Sequence, residues 1–418
     1  MNLLEDLESR GLLYQVTDRE ALEKALEEPI ALYCGFDPTG DSLHIGHLVT
    51  IVTMRRFQLA GHTPIGLVGG GTGMIGDPSG RSTERNLNEL EIVQEWSEKI
   101  KKQLMKSLDF NEEANSAKIM NNYEWLGKLS MIEFLRDIGK HFPVNYMLSK
   151  ESVTSRMENG ISFTEFSYMI LQAYDFLNLY EKANCRLQIG GSDQWGNITA
   201  GLELIRRNGH ENQAFGITFP LITKSDGTKF GKTAGDAIWL DAEKTTPYEF
   251  YQFWLNTEDR DVIRFIKYFT FLSKEEVEDL EKEVEMAPEN RVAQRRLAEE
   301  MTIFVHSEEA LKQAVKISEA LFSGDLSELT ATEIGQGFKQ FPSFTAESSD
   351  EKGLIDLLVE AGVVSSKRQA REDLQNGAIY INGERIADVN YIVTEKDRIE
   401  GQFTIIRRGK KKYTLIKY

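Results

Sequence analysis

"IALYCGFDPTGDSLHIGHLVTIVTMRR", residues 30–56, joins three kinds of text: an apolar run, a loop of Gly, Asp and Pro with two histidines, and a segment of helical period. The apolar run reads as a strand ending at Cys34, and the periodic segment as a helix starting near His47. A helix N-terminus just beyond the C-terminal end of a parallel strand offers free N–H groups and a positive dipole end, so such a turn binds anions. His44 and His47, one turn apart, would add two side-chain donors, and Gly46 between them lets a flat ring approach the backbone. The same pair also suits helix capping or core packing. No metal site is expected, because no third ligand stands nearby at zinc spacing.

From residue 30 to about 220, short apolar runs (IALYCGF, PIGLVGG, CRLQIGG, FPLIT) alternate with helical segments. That alternation predicts a parallel sheet covered by helices, a Rossmann-like α/β catalytic domain over residues 1–220. Within it, residues 111–160 read as a mainly helical insertion bearing a partner surface. A loop region follows over 221–246, and then charged helical text without strand signals over 247–322. Residues 323–350, rich in Ser, Thr, Gly and Glu, read as a linker. Residues 351–418 predict two short helices and strands around the hairpin signal YINGERI, a small α+β domain.

With 418 residues, 41% hydrophobic and 28% charged, the chain suits two or three globular domains. No apolar run approaches the ~18 residues of a membrane helix, and the N-terminus MNLLEDLESRG is unlike a secretory signal. A cytoplasmic location is expected, without membrane association. Cys34 and Cys185 cannot build a disulfide framework, which fits a reducing compartment. The net charge is −17, yet residues 351–418 carry 13 basic against 10 acidic side chains, so the first 350 residues carry −20. A basic appendage on an acidic body suggests a polyanionic partner for the tail alone.

Two further stretches add chemistry. "TKSDGTKFGKTAGD", residues 223–236, sets Lys229 and Lys232 on a glycine-bearing loop suited to closing over polyphosphate. In "SYMILQAYD", residues 167–175, Tyr168, Gln172 and Asp175 share one face of an otherwise apolar helix, which suggests a polar pocket.

HIGH at 44–47 followed by KFGKT at 229–233 resembles the two signatures of class I aminoacyl-tRNA synthetases, although Phe230, Gly231 and Thr233 depart from the usual Lys-Met-Ser-Lys-Ser form. With LYCGFDPT, GDPSGR and GGSDQWGN, the chain resembles the bacterial tyrosyl-tRNA synthetases along essentially its whole length. That resemblance implies a two-step ligase. Tyrosine and ATP would give tyrosyl-adenylate and pyrophosphate, and the tyrosyl group would then pass to the 3′ end of tRNA(Tyr).

It also implies residue roles. Tyr33 and Asp175 would read the substrate phenol; Tyr168, Gln172 and Asp77 would hold its ammonium group, with Gln194 near the carboxylate. Thr39, His44, Lys229, Lys232 and Thr233 would contact the departing phosphates, with Arg81 and Arg85 on a second mobile loop. Cys34, Gly35, Asp37, Gly46, His47, Gly191 and Asp193 would hold the adenosine end. Mg²⁺ would come with ATP.

The tail resembles an S4-type RNA-binding domain, with Lys367, Arg368 and Arg371 on one helical face, Arg385 on the hairpin, and Arg407, Arg408, Lys410, Lys411 and Lys412 beyond. Arg206 and Arg207 would reach the acceptor stem. The segment FLRDIGKHFPVNYML resembles the family's dimer surface, which implies a C2 homodimer. Three alternatives remain at this point: a nucleotidylyltransferase, a tryptophanyl-tRNA synthetase and a non-catalytic RNA-binding protein.

Overall fold

Six strands form the first sheet: β1 (Gln15–Val16), β2 (Ala31–Phe36), β3 (Thr63–Val68), β4 (Lys118–Asn121), β5 (Cys185–Gly191) and β6 (Phe215–Phe219). They come from a computed structural model that describes residues 2–418 except 112–113, 211–212, 229, 234–235, 327, 348–350 and 411, and the backbone alone at 232, 233 and 236. The spatial order is β1-β6-β5-β2-β3-β4, parallel throughout except for edge strand β1. The order reverses between β2 and β5. A crevice outside the carboxyl ends of the strands is expected at such a switch point.

β2 does not stop at Cys34. It continues through Phe36, which pairs with Val68 and accepts from the Gly69 N–H at 2.9 Å. The glycine at position 35 hides this, because it breaks the apolar run without breaking the ladder. Helix α1 (Leu48–Leu59) follows one turn of 3₁₀ helix at Ile45–His47, and most of its residues are buried. Helices α2 (Leu90–Ser107), α3 (Phe163–Ala183) and α4 (Trp195–Arg207) complete the cover of this sheet. Gly201 lets α4 approach α3 closely: a Cβ there would stand 2.9 Å from the Phe176 ring.

The insertion at 111–160 is less helical than expected. It supplies edge strand β4, and only then breaks into short helical pieces. Its four-residue strand is too short for a period to declare itself.

Two compact units partition the chain, one of residues 1–245 and 255–305 and the other of residues 246–254 and 306–418. The text expected as one helical domain over 247–322 is therefore divided between them. Helix α5 (Asp259–Phe269), together with Lys274–Met286 and Val292–Val305, belongs to the first unit. The C-terminal end of α5 is clamped by a half-buried arginine: Arg10 donates to the carbonyls of Lys267, Thr270 and Leu272. Such donors satisfy the carbonyls a helix end leaves open.

The described part of 323–350 is not a linker. Within the second unit it forms helix Ala331–Gly337 and strand β7 (Ser343–Thr345). Strand β7 lies parallel to β11 (Lys412–Lys417), in a sheet that also contains β8 (Ile379–Ile381), β9 (Glu384–Ile386) and β10 (Phe403–Arg408). Leu326, Leu329, Ile334 and Phe338 share one core with Ile405, Tyr413 and Leu415. Polar composition masked an apolar face. The hairpin at YINGERI turns through Asn382 and Gly383, both at positive φ, as a two-residue turn requires. Among the described residues, no helix is long and apolar enough to cross a membrane.

Candidate active site

At the switch point lies a cavity of about 150 Å³. The end of β2 and the loop after it supply Tyr33, Cys34, Gly35, Asp37 and Thr39; α3 supplies Tyr168, Gln172 and Asp175; His47, Thr72, Asp77, Arg85, Asn122, Gln188 and Gln194 complete its polar wall. The three α3 residues meet there because i, i+4 and i+7 return to one face of a helix.

At the closed end, Asp175 is 2% exposed and accepts from the Asn122 amide at 2.9 Å and the Trp125 indole at 2.7 Å. Burial outweighs both donors and pushes its carboxyl up to about 8. Among the described residues, the Tyr33 hydroxyl, fully buried, has no hydrogen-bond partner. An orphaned buried hydroxyl costs free energy unless a ligand completes it.

A second network lies beside it. The Tyr168 hydroxyl donates to Asp37 at 2.6 Å, and Thr72 donates to the other oxygen at 2.7 Å. Burial raises the Asp37 carboxyl to about 6 against these two bonds. Asp77 accepts from the Ser79 N–H at 2.9 Å and from the Gln194 amide at 2.8 Å, and Asn197 donates to the Gln172 amide oxygen at 3.2 Å. Tyr168 thus engages Asp37, which the sequence reading put at the adenosine end, rather than Asp77. Cys34 is buried, and desolvation pushes its thiol up to about 12.

The two histidines do not both face a ligand as free donors. His44 Nδ1 accepts from the Gly46 N–H at 3.1 Å, and His47 Nδ1 accepts from the His44 N–H at 3.1 Å. Each imidazole faces the turn through Nδ1, and His47 Nδ1 also stands 3.2 Å from the His44 carbonyl oxygen, so either tautomer of that ring finds a partner in the turn. The rings lie 4.0 Å apart. Burial and then the neighbouring ring push His47 down to about 3. His47 therefore stays neutral at physiological pH and carries a single ring N–H. Gly46 is required for the cap, since a Cβ there would stand 2.9 Å from the His44 ring.

The KFGKT loop is tied to this turn. Ile45 N–H donates to Ile238 O at 2.8 Å, Leu240 N–H to Leu43 O at 2.9 Å, and Ile238 N–H to Gly231 O at 3.1 Å. The Phe230 ring stacks on Phe269 of α5 at 5.4 Å and meets Phe265 edge-on at 5.0 Å. Lys229 lies outside the described residues, as do the side chains of Lys232 and Thr233; the backbone of Lys232–Thr233 pairs with Asp236–Ala237.

Arg85 lines the cavity, and its Nε donates to Asp77 O at 3.2 Å. Arg81 is exposed and stands outside the lining, as do His44, Gly46, Gly191 and Asp193. Sequence reasoning missed Thr72, Asn122, Trp125 and Gln188, which line the cavity or hold its acids, and Asn197, which it quoted without a role. Asn122 and Trp125 sit in short irregular pieces where no period signals function.

Of the expected RNA contacts, Lys367, Arg368, Arg371, Lys410 and Lys412 are exposed; Lys411 lies outside the described residues. Lys367 pairs with Asp356 at 2.5 Å. Arg407 and Arg408 are not free surface charges. Arg407 stands over the Tyr380 ring at 4.0 Å, and Arg408 pairs with Asp373 at 2.8 Å and donates to Val363 O. β-strand pairing half-buries both, which no charge count reveals. Arg385 donates to Gly377 O at 3.1 Å. Arg206 and Arg207 both pair with Glu203, at 2.8 and 2.6 Å.

Residues 24–323 match the family described as tRNA synthetases class I (W and Y), and residues 333–416 match one described as tyrosine–tRNA ligase SYY-like C-terminal domain. Over the full length of both chains, the sequence is 68% identical to the tyrosine–tRNA ligase of Geobacillus stearothermophilus and 66% identical to that of Bacillus velezensis. The chain belongs to the tyrosyl-tRNA synthetase family of class I. Its activity is that of a tyrosine–tRNA ligase, which consumes ATP. A mitochondrial tyrosyl-tRNA synthetase from Aspergillus nidulans, truncated at its C-terminus, superposes with a TM-score of 0.69 at 31% identity, covering 77% of this chain and 94% of its own. At 16% identity and a TM-score of 0.54, over 74% of this chain and 87% of its own, a tryptophanyl-tRNA synthetase from Encephalitozoon cuniculi shares the synthetase fold. Full-length identity to tyrosine ligases sets aside the nucleotidylyltransferase, tryptophan-specific and non-catalytic readings.

Proposed function

We propose that tyrosine binds with its phenol at the closed end of the cavity and its carboxylate toward the β2 loop, where ATP lies against the HIGH turn. The observation that carries this reading is the Tyr33 hydroxyl, buried without a partner in a cavity that Asp175 also lines. A phenol there would give the Tyr33 hydroxyl a partner and Asp175 a further hydrogen bond, and phenylalanine would leave the Tyr33 hydroxyl unpaired. Sites of this kind reject the analogue lacking the hydroxyl by roughly 10⁴ to 10⁵, a figure established on tyrosyl-tRNA synthetase itself.

In this reading, Asp77, Gln172 and Tyr168 receive the ammonium group, and Gln194 stands near the carboxylate. A tyrosine carboxylate oxygen attacks the α-phosphorus of ATP, the bond to the bridging oxygen breaks, and pyrophosphate leaves. A ribose hydroxyl of the terminal adenosine of tRNA then attacks the tyrosyl carbonyl, and AMP leaves. No protein nucleophile is needed, because such chemistry is mostly positioning and charge stabilisation. Neutral His47, in the tautomer that carries its proton on Nε2, contributes a donor without adding a cation, while Lys229, Lys232, Thr233, Thr39, His44, Arg81 and Arg85 meet the pyrophosphate. Cys34, Gly35, Asp37, Gly46, Gly191 and Asp193 attend the adenosine. Among the described residues, no cluster of three or more His, Cys, Asp or Glu is spaced to hold a metal, and Mg²⁺ enters this reading as the ion that ATP carries.

The exposed face of Lys367, Arg368 and Arg371, with Lys410 and Lys412, suits tRNA phosphates. Arg206, 71% exposed, suits the acceptor stem. Exposed Met131, Ile132, Leu135, Val144 and Phe163 support a C2 homodimer through the 111–160 region. We place the enzyme in the cytoplasm.

The test is amino-acid-dependent exchange of labelled pyrophosphate into ATP without tRNA, with tyrosine, phenylalanine and tryptophan side by side. Exchange with tyrosine alone is expected. Comparable exchange with phenylalanine would refute the phenol readout.

A further inference from the structure

Tyr168, Gln172 and Asp175 are not the whole polar stripe of α3. Glu165, one turn earlier on the same face, is 1% exposed, and its carboxylate divides between two distant pieces of chain. Oε2 accepts from Arg156, itself 2% exposed, at 2.8 Å; Oε1 accepts from the backbone N–H of Arg85 at 2.8 Å.

The second bond has the functional consequence. Residues 81–89 form no helix or strand, so little else fixes where the Arg85 guanidinium sits. Glu165 holds the backbone at that residue, Gly76 lets the Arg85 side chain pack at 3.1 Å from where a Cβ would stand, and Nε then reaches Asp77 O. A rigid helix that also carries the tyrosine-facing residues thereby sets the position of a residue on an irregular loop. Arg156 holds the other carboxylate oxygen at 2.8 Å and so fixes the orientation of the group in a dry site.

We infer that Glu165 is a positioning residue for adenylate formation, which places the Arg85 guanidinium over the phosphates of ATP by accepting the Arg85 N–H. This rests on the reading of Arg85 as a phosphate contact. Glu165 touches neither substrate.

Two paired variants separate the hydrogen bond from the buried charges. Arg156→Met with Glu165→Gln removes both charges and keeps an acceptor oxygen; Arg156→Met with Glu165→Leu removes the acceptor as well. Relative to the Gln pair, the Leu pair should lose roughly 10- to 100-fold in kcat for pyrophosphate exchange, the scale on which misplacement acts. KM for tyrosine should stay within about twofold, since tyrosine contacts are intact. Adding Arg85→Ala to each pair should erase the difference between them. Trypsin should also cut the folded Leu pair faster after Arg81 and Arg85, a readout that survives if turnover is too low to measure. Equal exchange rates and equal cleavage in the two pairs would overturn the inference. A wild-type exchange rate in the single Arg85→Ala variant would instead overturn the reading of Arg85, and the inference with it.

Discussion

Trp125 donates its indole N–H to the carboxylate of Asp175 at 2.7 Å. A donor that close should lower an acid's pKa, yet burial raises Asp175 to about 8. The unfolded chain releases this proton near pH 4 and the folded chain near pH 8. Stability from this group is therefore fully present below pH 4 and is lost as pH rises through 8. Asp37 complicates the lower part of that window, because it is raised only to about 6. Between pH 6 and 8, the ligand-free protein should lose up to about 2 kcal/mol at Asp175. Chemical denaturation across that range should show the loss in the wild type and a flatter profile in Asp175→Asn.

Tyr33→Phe should split stability from binding. Removing a buried hydroxyl without a partner should raise the stability of the free protein by about 1 kcal/mol, while the lost contact weakens tyrosine binding by up to about tenfold. Thermal melts with and without tyrosine would check both. A lower melting temperature in the free variant would mean that the hydroxyl is already satisfied.

Lys232→Ala should lower the rate of adenylate formation by roughly 10²- to 10³-fold and leave tyrosine affinity unchanged, because its charge is to act on the transition state. Single-turnover kinetics beside equilibrium binding would separate the two. Equal losses in both would remove the assigned role.

Removing the tail should depend on where the cut falls. A cut after residue 350 leaves Leu326, Leu329, Ile334 and Phe338 without Ile405, Tyr413 and Leu415, and β7 without β11. That protein should aggregate. A cut after Ser323 removes both sides of most of this core; it should stay soluble, form adenylate and fail to charge tRNA. Charging by the shorter chain would refute the RNA role of the tail.

Ile132→Lys, at a side chain 66% exposed, should disrupt the proposed dimer without unfolding the subunit. Sedimentation velocity should give a single species of half the mass. An unchanged dimer would move the interface elsewhere.

Much of the site was legible because its signals are local. A strand, a Gly/Pro loop and a helix start fall within one stretch of residues 30–56, and a helical period places Tyr168, Gln172 and Asp175 on one face. The segment 323–350 was misread because its apolar residues are few and widely spaced. Their partners lie in β10 and β11, at the far end of the sequence. Arg407 and Arg408 were counted as surface charge for the same reason.

By itself, the sequence determined the alternation of strand and helix, the HIGH and KFGKT motifs and the family, since each depends on residues near one another along the chain. Only the tertiary structure decided the protonation of the site. Trp125 stands 50 positions from Asp175 and Tyr168 stands 131 from Asp37, and the burial that raises both acids and keeps His47 neutral is a sum over groups that sequence order does not bring together. Desolvation depends on what surrounds a group in space, and that is set only when the chain is packed.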